Sequence, residues 1–364
     1  MTQAYTHPAM LEALRQIADN SEHVRLDREQ LQRVAEVMRT RLDLKLSHFN
    51  VRRDYPSLSP PDMLLFLMIV GAHNFLFWQR DESGEVVPWH LQVNGEDRHG
   101  FPAYMACHIR ALKQGRNILD PDYLLSMTLV DIEDYYRDEK SGQVTLQLLP
   151  ERLARYHEMG RVLKEEYGGS ILSIFEQAEG YLFRNDGNGL VQRFMADFPL
   201  TYDDWPFYKK ILVNLGNLYQ DRDQLIPADS EYRLLVEFQD PEVIEIGADY
   251  YRPFFFYRVG VLQLSQPFQA RLSSGDFFKP GEAMEQEYRA WTILVGRELA
   301  QLLNVTPHDV AVETWAMGYM RCRPCYVGVS EGDVPCSYQP LCYSYTQDSV
   351  LMKSLWPLIL TTKY

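Results

Sequence analysis

After Asp27, the apolar residues Leu31, Val34, Ala35, Met38 and Leu42 recur at spacings of three and four. That pattern places them on one stripe of an α-helix turned toward a core, with Asp27 positioned to cap its first turn. Ser59-Pro60-Pro61 opens the next helix, because proline costs nothing where an amide has no helical partner. The most apolar stretch follows, the 16 residues from Met63 to Trp78. It carries His73 and Asn74 and is shorter than the roughly 18 to 20 residues needed to cross a bilayer, so it reads as a buried helix ending in large aromatic faces. The same periodicity predicts helices near 101–114, 148–166, 170–184, 206–220, 252–264, 282–303 and 307–320. The last opens on Thr306-Pro307-His308-Asp309, a strong capping signal.

Strand patterns are few. Val86 to Val93 followed by Asn94-Gly95 reads as a hairpin arm and its turn, and Tyr232 to Phe238 as a second short strand. Strands and helices do not alternate as a doubly wound sheet requires, and no repeat recurs at a fixed period. The expected fold is mainly α with a small β-hairpin insertion. Without a Gly/Ser- or Pro-rich linker, the chain is expected to form a single compact unit over 1–364, with an N-terminal lobe of about 1–145 and a C-terminal lobe of about 146–364.

Composition narrows the function. The 364 residues carry 36 Lys+Arg against 50 Asp+Glu, a net charge of −14. This argues against holding DNA or RNA by its backbone, which depends on neutralising phosphates. A small ligand or a protein partner fits better. The first 30 residues lack the basic-then-apolar order of a secretory signal, and five cysteines are too few for a disulfide scaffold, so a reduced cytoplasmic setting is expected.

Familiar chemical signatures are mostly missing: no G-x-G-x-x-G, no G-x-x-x-x-G-K-[ST] and no H-E-x-x-H. Gly328-Val329-Ser330-Glu331-Gly332 matches the letters of a nucleophile elbow, but no helix pattern and no histidine follow it, so it reads as a loop. His73, alone on an apolar helix, reads as a hydrogen-bonded core residue. Cys322, Cys325, Cys336 and Cys342 form a weak candidate metal site. The first pair has a zinc-like spacing that the second does not repeat, and the other reading is four small buried hydrophobes. No metal or cofactor is expected.

Three distant segments carry the more informative chemistry. Asn74-Phe75-Leu76-Phe77-Trp78 ends the apolar run, Phe207-Tyr208-Lys209-Lys210 opens an amphipathic helix, and Ala248-Asp249-Tyr250-Tyr251-Arg252-Pro253 sets a carboxylate before another helix. Each has a plain structural alternative: core aromatics, a solvated basic helix start and an Asp N-cap. Together with Tyr167-Gly168-Gly169-Ser170, and with Arg110-Ala111-Leu112, Gly115 and Asp120-Pro121, their order and separation resemble the queuosine salvage proteins, the queuosine 5'-phosphate N-glycosylases. The resemblance runs from about Asn20 to about Met320.

The resemblance implies a mainly helical fold related to helix-hairpin-helix DNA glycosylases. It also implies an N-glycosidase that hydrolyses the bond between ribose and a 7-deazaguanine base, releasing queuine for tRNA modification. The implied partner is a small nucleotide, with no nucleic acid or membrane bound directly; the oligomeric state stays open. Cleaving such a bond builds positive charge on the sugar, which a carboxylate stabilises. Asp249 is the catalytic candidate, either as a nucleophile or by steering water. Asn74, Phe75, Phe77, Trp78 and Asn217 are the base-binding candidates. Tyr208, Lys209, Lys210, Tyr250 and Arg252 are the candidates for phosphate and ribose, Lys209 foremost. Asn217 stands where the family generally has an aspartate, and Arg252 sits one position later than the family's arginine. The family's basic C-terminal pattern aligns either with Pro335 to Tyr343, losing its cations, or with Arg321-Cys322-Arg323, keeping two. The alternatives to this function are a ribosylhydrolase for another modified nucleoside and a non-catalytic nucleotide-binding protein.

From Asp221 to Asp249 there are nine acidic residues against Arg222 and Arg233. This stretch is either a solvated acidic loop or a field favouring a ligand with a cationic base substituent.

Overall fold

The computed structural model describes residues 5–43, 56–81, 84, 86–322, 336–343 and 358–364. It is mainly helical. The chain begins with α1 (His7–Asp19), β1 (Val24–Leu26), α2 (Arg28–Asp43) and α3 (Pro60–Ala72), followed by four short strands, β2 (Trp78–Arg80), β3 (Val86–Pro88), β4 (His90–Val93) and β5 (Glu96–His99). Next come α4 (Gly100–Lys113), α5 (Pro121–Ser126), α6 (Leu129–Tyr135), α7 (Leu149–Glu166), α8 (Leu172–Ala178), α9 (Leu190–Asp197), α10 (Pro199–Tyr202) and α11 (Lys209–Leu225). The C-terminal part holds α12 (Tyr251–Arg258), β6 (Leu262–Leu264), α13 (Gln266–Ser274), α14 (Ala283–Leu303) and α15 (Pro307–Ala316).

Local capping sets several of these starts. Asp27 Oδ1 accepts the Gln30 amide at 2.9 Å, Ser59 caps α3, and Thr306 with Asp309 forms a complete capping box on α15. Leu31, Val34, Ala35 and Met38 of the α2 stripe are buried. Asn94 and Gly95 both take positive φ, as a two-residue hairpin turn requires, and join β4 to β5.

Other expectations are corrected. The Met63 to Trp78 run is helical only to Ala72; Asn74 to Phe77 are irregular, with Leu76 at φ 51°, and Trp78 begins a strand. The buried guanidinium of Arg152 on α7 holds this bend by donating to the His73 and Phe75 carbonyls at 3.0 and 2.8 Å. The expected 86–93 arm is two strands split at Trp89: β3 pairs with β2, and β4 with β5. Tyr232 to Phe238 forms a 3₁₀ turn at Arg233–Leu235 rather than a strand, because Arg233 draws the chain around its bonds to Asp223, Glu237 and the Ile226 carbonyl. The helix expected over 252–264 stops at Arg258, where Gly260 (φ 75°) turns the chain so that β6 can pair antiparallel with β1. That expected over 170–184 stops at Ala178, before the left-handed pair Glu179 and Gly180.

Packing joins distant parts of the chain. α1 lies on α14, α3 on α11, α5 on α7, and α15 on both α12 and α14. Where α3 meets α11, a Cβ added at Gly71 would stand 1.5 Å from Asn214 Nδ2 and 1.9 Å from its Cγ. Gly71→Ala is therefore expected to cost about 1–3 kcal/mol through overpacking. Thermal unfolding is the check; an unchanged Tm would show that Asn214 moves aside freely. Among the described residues, no helix is long and apolar enough to cross a membrane.

Candidate active site

α12 begins where Asp249 supplies what its first turn lacks. Asp249 Oδ1 accepts the amides of Tyr251 and Arg252 at 2.9 and 3.2 Å, while Oδ2 accepts Arg252 Nη1 at 2.6 Å. Both side chains are buried. Arg252 is itself anchored, donating through Nε to the Ala311 carbonyl at 3.2 Å and through Nη1 to the Gly247 carbonyl at 2.9 Å. A carboxylate offers about four acceptor positions, and among the described residues three of them are occupied, leaving one on Oδ2 for another donor. Capping the first turn of α12 thus does not use up the acceptor capacity of Asp249 among the described residues.

Lys209, the first residue of α11, is 3% exposed and donates to the Asn74 carbonyl at 2.9 Å. Burial lowers its pKa from the ordinary 10.5 to about 8, with Asp249 as the main opposing influence. Lys209, Asp249, Asn74, Phe75, Phe77 and Tyr250 line one recess, whose rim includes Phe101, Trp315 and Tyr364. A wider cavity opens from it between α11 and α15, lined by Asn74, Asn217, Gln220, Asp221, Asp249 and Arg252, with Phe101 and Trp315 as its aromatic walls. Gln220 Oε1 lies 2.9 Å from His308 Nε2, and burial pushes the His308 pKa down to about 4, so the neutral ring donates and leaves the Gln220 amide nitrogen for other partners.

The structure thus brings together Asp249, Lys209, Asn74, Phe75, Phe77, Tyr250, Arg252 and Asn217. It sets three other candidates apart. Lys210 points the other way, donating to the Ala72 carbonyl at 3.1 Å with its ammonium over the Phe75 and Tyr202 rings. Tyr208 packs among Tyr5, Phe183 and Trp205, its hydroxyl buried and without a hydrogen-bond partner among the described residues. Trp78 lies in β2 against Phe277. Both lysines are buried, not solvated as a basic helix start would be. His73 is a core residue, its nitrogens 2.9 and 3.0 Å from the Ile69 and Arg152 carbonyls.

Sequence reasoning missed Phe101, Trp315, Gln220, Asp221 and Tyr364. Gln220 and Asp221 follow Asn217 by three and four residues, so helical spacing alone places them on its face. Phe101 and Trp315 gave no such signal. Much of the acidic stretch is engaged elsewhere: Glu245 with His7 and Arg297, Asp223 and Glu237 with Arg233, and Asp240 with the Leu182 and Phe183 amides. Cys325 lies outside the described residues. Cys322 and Cys342 are buried and Cys336 partly so, and no group of three or more His, Cys, Asp or Glu suited to a metal occurs among the described residues.

Comparison with known proteins shows the family. A family model described as queuosine salvage protein matches residues 55–318, which include every residue lining the wider cavity. The chain is 26% identical over 285 residues to the queuosine 5'-phosphate N-glycosylase/hydrolase of Nematostella vectensis, covering 76% of this chain and 78% of that one. To the Mus musculus protein of the same name it is 26% identical over 308 residues, covering 80% and 85%. To that of Sphaerobacter thermophilus it is 27% identical over 250 residues, covering 67% and 70%. With the matched segment spanning both the carboxylate turn and the lysine that faces it, this chain belongs to the queuosine salvage protein family.

Proposed function

We infer that this chain is an N-glycosidase that hydrolyses queuosine 5'-phosphate to queuine and ribose 5-phosphate, acting as one unit over residues 1–364. Water adds across the glycosidic bond: its hydroxyl joins the anomeric carbon and its proton ends on the base. The observation that carries this reading is Asp249, held by two amides and a guanidinium in a recess that also contains the Lys209 ammonium. Pre-oriented negative charge stabilises the oxocarbenium-like sugar without reorganising at the moment of reaction. A ribose 5-phosphate carries its anomeric carbon and its phosphate on one small ring, so a carboxylate for the first and a cation for the second belong in one recess. Lys209 meets the phosphate.

The base occupies the wider cavity, between the Phe101 and Trp315 rings. Its polar edge and cationic aminomethyl substituent face Asn217, Gln220 and Asp221. Asp221, one turn beyond Asn217, supplies the negative charge that Asn217 lacks. Phe75 and Phe77 form the apolar wall of the recess, with the Lys210 ammonium over the Phe75 ring. Kinship with helix-hairpin-helix DNA glycosylases belongs to the same proposal and is supported by the mainly helical build.

The test is incubation with queuosine 5'-phosphate, queuosine and ordinary purine nucleotides, with chromatography for free base. Release of queuine from the first, well ahead of the others, is the expected result. Tight binding without base release from any of them would establish a binding protein instead. Trp315→Ala should raise KM about 10- to 100-fold through loss of base stacking, worth about 1–3 kcal/mol. Trp78→Ala should lower Tm and leave KM near that of wild type; equal effects on KM would move the base site away from Trp315.

A further inference from the structure

Beneath the recess lies a charged assembly that the proposed chemistry does not use. Arg289 on α14 is 4% exposed, and its guanidinium is sandwiched 4.0 Å from the Phe207 ring and 4.4 Å from the Tyr364 ring. Nη1 and Nη2 donate to the two oxygens of Asp204 at 3.1 and 2.6 Å, Nη1 also to Glu285 at 3.3 Å, and Nε to the Ala248 carbonyl at 3.2 Å. Asp204 Oδ2 accepts the Lys209 amide at 3.3 Å, and its carbonyl accepts the Phe207 and Tyr208 amides at 2.7 and 2.9 Å. One guanidinium therefore grips the residue before Asp249 on one side and, on the other, the carboxylate that caps the backbone of Lys209. Arg289 also borders a small void shared with Asp249, Tyr250 and Tyr364.

The geometry points to Arg289, acting with Asp204, as the positioning residue that sets Lys209 and Asp249 at their working separation. This rests on the site reading above. The planar fork suits the task because its directions are fixed: it reaches acceptors on three residues at once, whereas an ammonium is a point charge that cannot reproduce the set. Displacing one reacting partner by about 1 Å costs on the order of 10²-fold in rate. The positive charge of Arg289 also weighs against protonation of Lys209, so losing it has an electrostatic signature separate from any loss of packing.

The test uses Arg289→Lys, Arg289→Gln and Asp204→Asn in the full chain, with queuosine 5'-phosphate as substrate and circular dichroism to measure the folded fraction. Arg289→Lys should lower kcat about 10²-fold per folded molecule, with KM within about threefold of wild type. In Arg289→Gln the high-pH limb of kcat/KM, set by Lys209, should move upward from about 8; Asp204→Asn, which removes a favourable charge, should move it downward. If Arg289→Lys fails to fold, the opposite shifts of Arg289→Gln and Asp204→Asn still decide the matter; if one of those two fails, the shift of the other against the unmoved limb of the charge-conserving Arg289→Lys decides it. Arg289→Lys with kcat within threefold of wild type would overturn the inference, as would losses that track the folded fraction while the limb stays put. Wild type that releases no base would instead strike the site reading itself.

Discussion

Asp249→Asn is expected to lower kcat for queuosine 5'-phosphate on the order of 10³-fold or more, the scale of losing a pre-oriented electrostatic partner or nucleophile. Asparagine keeps an oxygen for the Tyr251 and Arg252 amides, so the start of α12 survives. It no longer neutralises Arg252, which is 6% exposed and otherwise bonded only to carbonyls among the described residues. Leaving a buried charge without its partner costs about 3–5 kcal/mol. Activity is therefore read per folded molecule, and binding of queuine by calorimetry shows whether the cavity persists. Folded Asp249→Asn that binds queuine and turns over within tenfold of wild type would remove Asp249 from the chemistry.

Lys209→Met is expected to separate activity from stability. A charge-assisted contact to phosphate is worth about 1.5–3 kcal/mol, so kcat/KM for the nucleotide should fall about 10²-fold while that for the nucleoside changes little. Equal losses on both substrates would make Lys209 a purely structural lysine. The same change should raise Tm, because the folded pKa of about 8 lies below the ordinary 10.5 and keeping this lysine protonated in its buried place costs about 3 kcal/mol at neutral pH.

The sign follows from proton counts. Between about pH 8 and 10.5 the unfolded chain holds a proton that the folded chain has released, so wild-type stability rises with pH through that window. Lys209→Met lacks this rise, and parallel stability curves across the window would refute the assigned ionisation. For wild type, kcat/KM for the nucleotide should decline as pH climbs through about 8, with a shallower profile for the nucleoside.

Features decided within a few residues were legible from the chain alone. Ser59, Thr306 and the Asn94-Gly95 turn act on their immediate neighbours, and each stands where its spacing placed it. The end of the apolar run at Ala72 was not legible, because the bend after it depends on Arg152, a residue from a helix far along the chain. The same holds for β6, where a helical pattern yields to pairing with β1. Of the site, Asp249 and Lys209 stood out, whereas Phe101 and Trp315 did not, since an aromatic at a helix start or end looks like any core residue until the wall it forms is seen.

The two adjacent lysines mark the boundary between these kinds of information. By itself the sequence determined a mainly helical chain, its helix caps, and a carboxylate and a pair of cations in the order of its family. It did not determine which cation faces the carboxylate. Consecutive residues on a helix of 3.6 residues per turn point about 100° apart, so only one of Lys209 and Lys210 can enter the recess. The rotation of α11, set where Gly71 of α3 admits Asn214 and where Asp204 holds the Lys209 amide against Arg289, turns Lys209 toward Asp249 and Lys210 toward the end of α3.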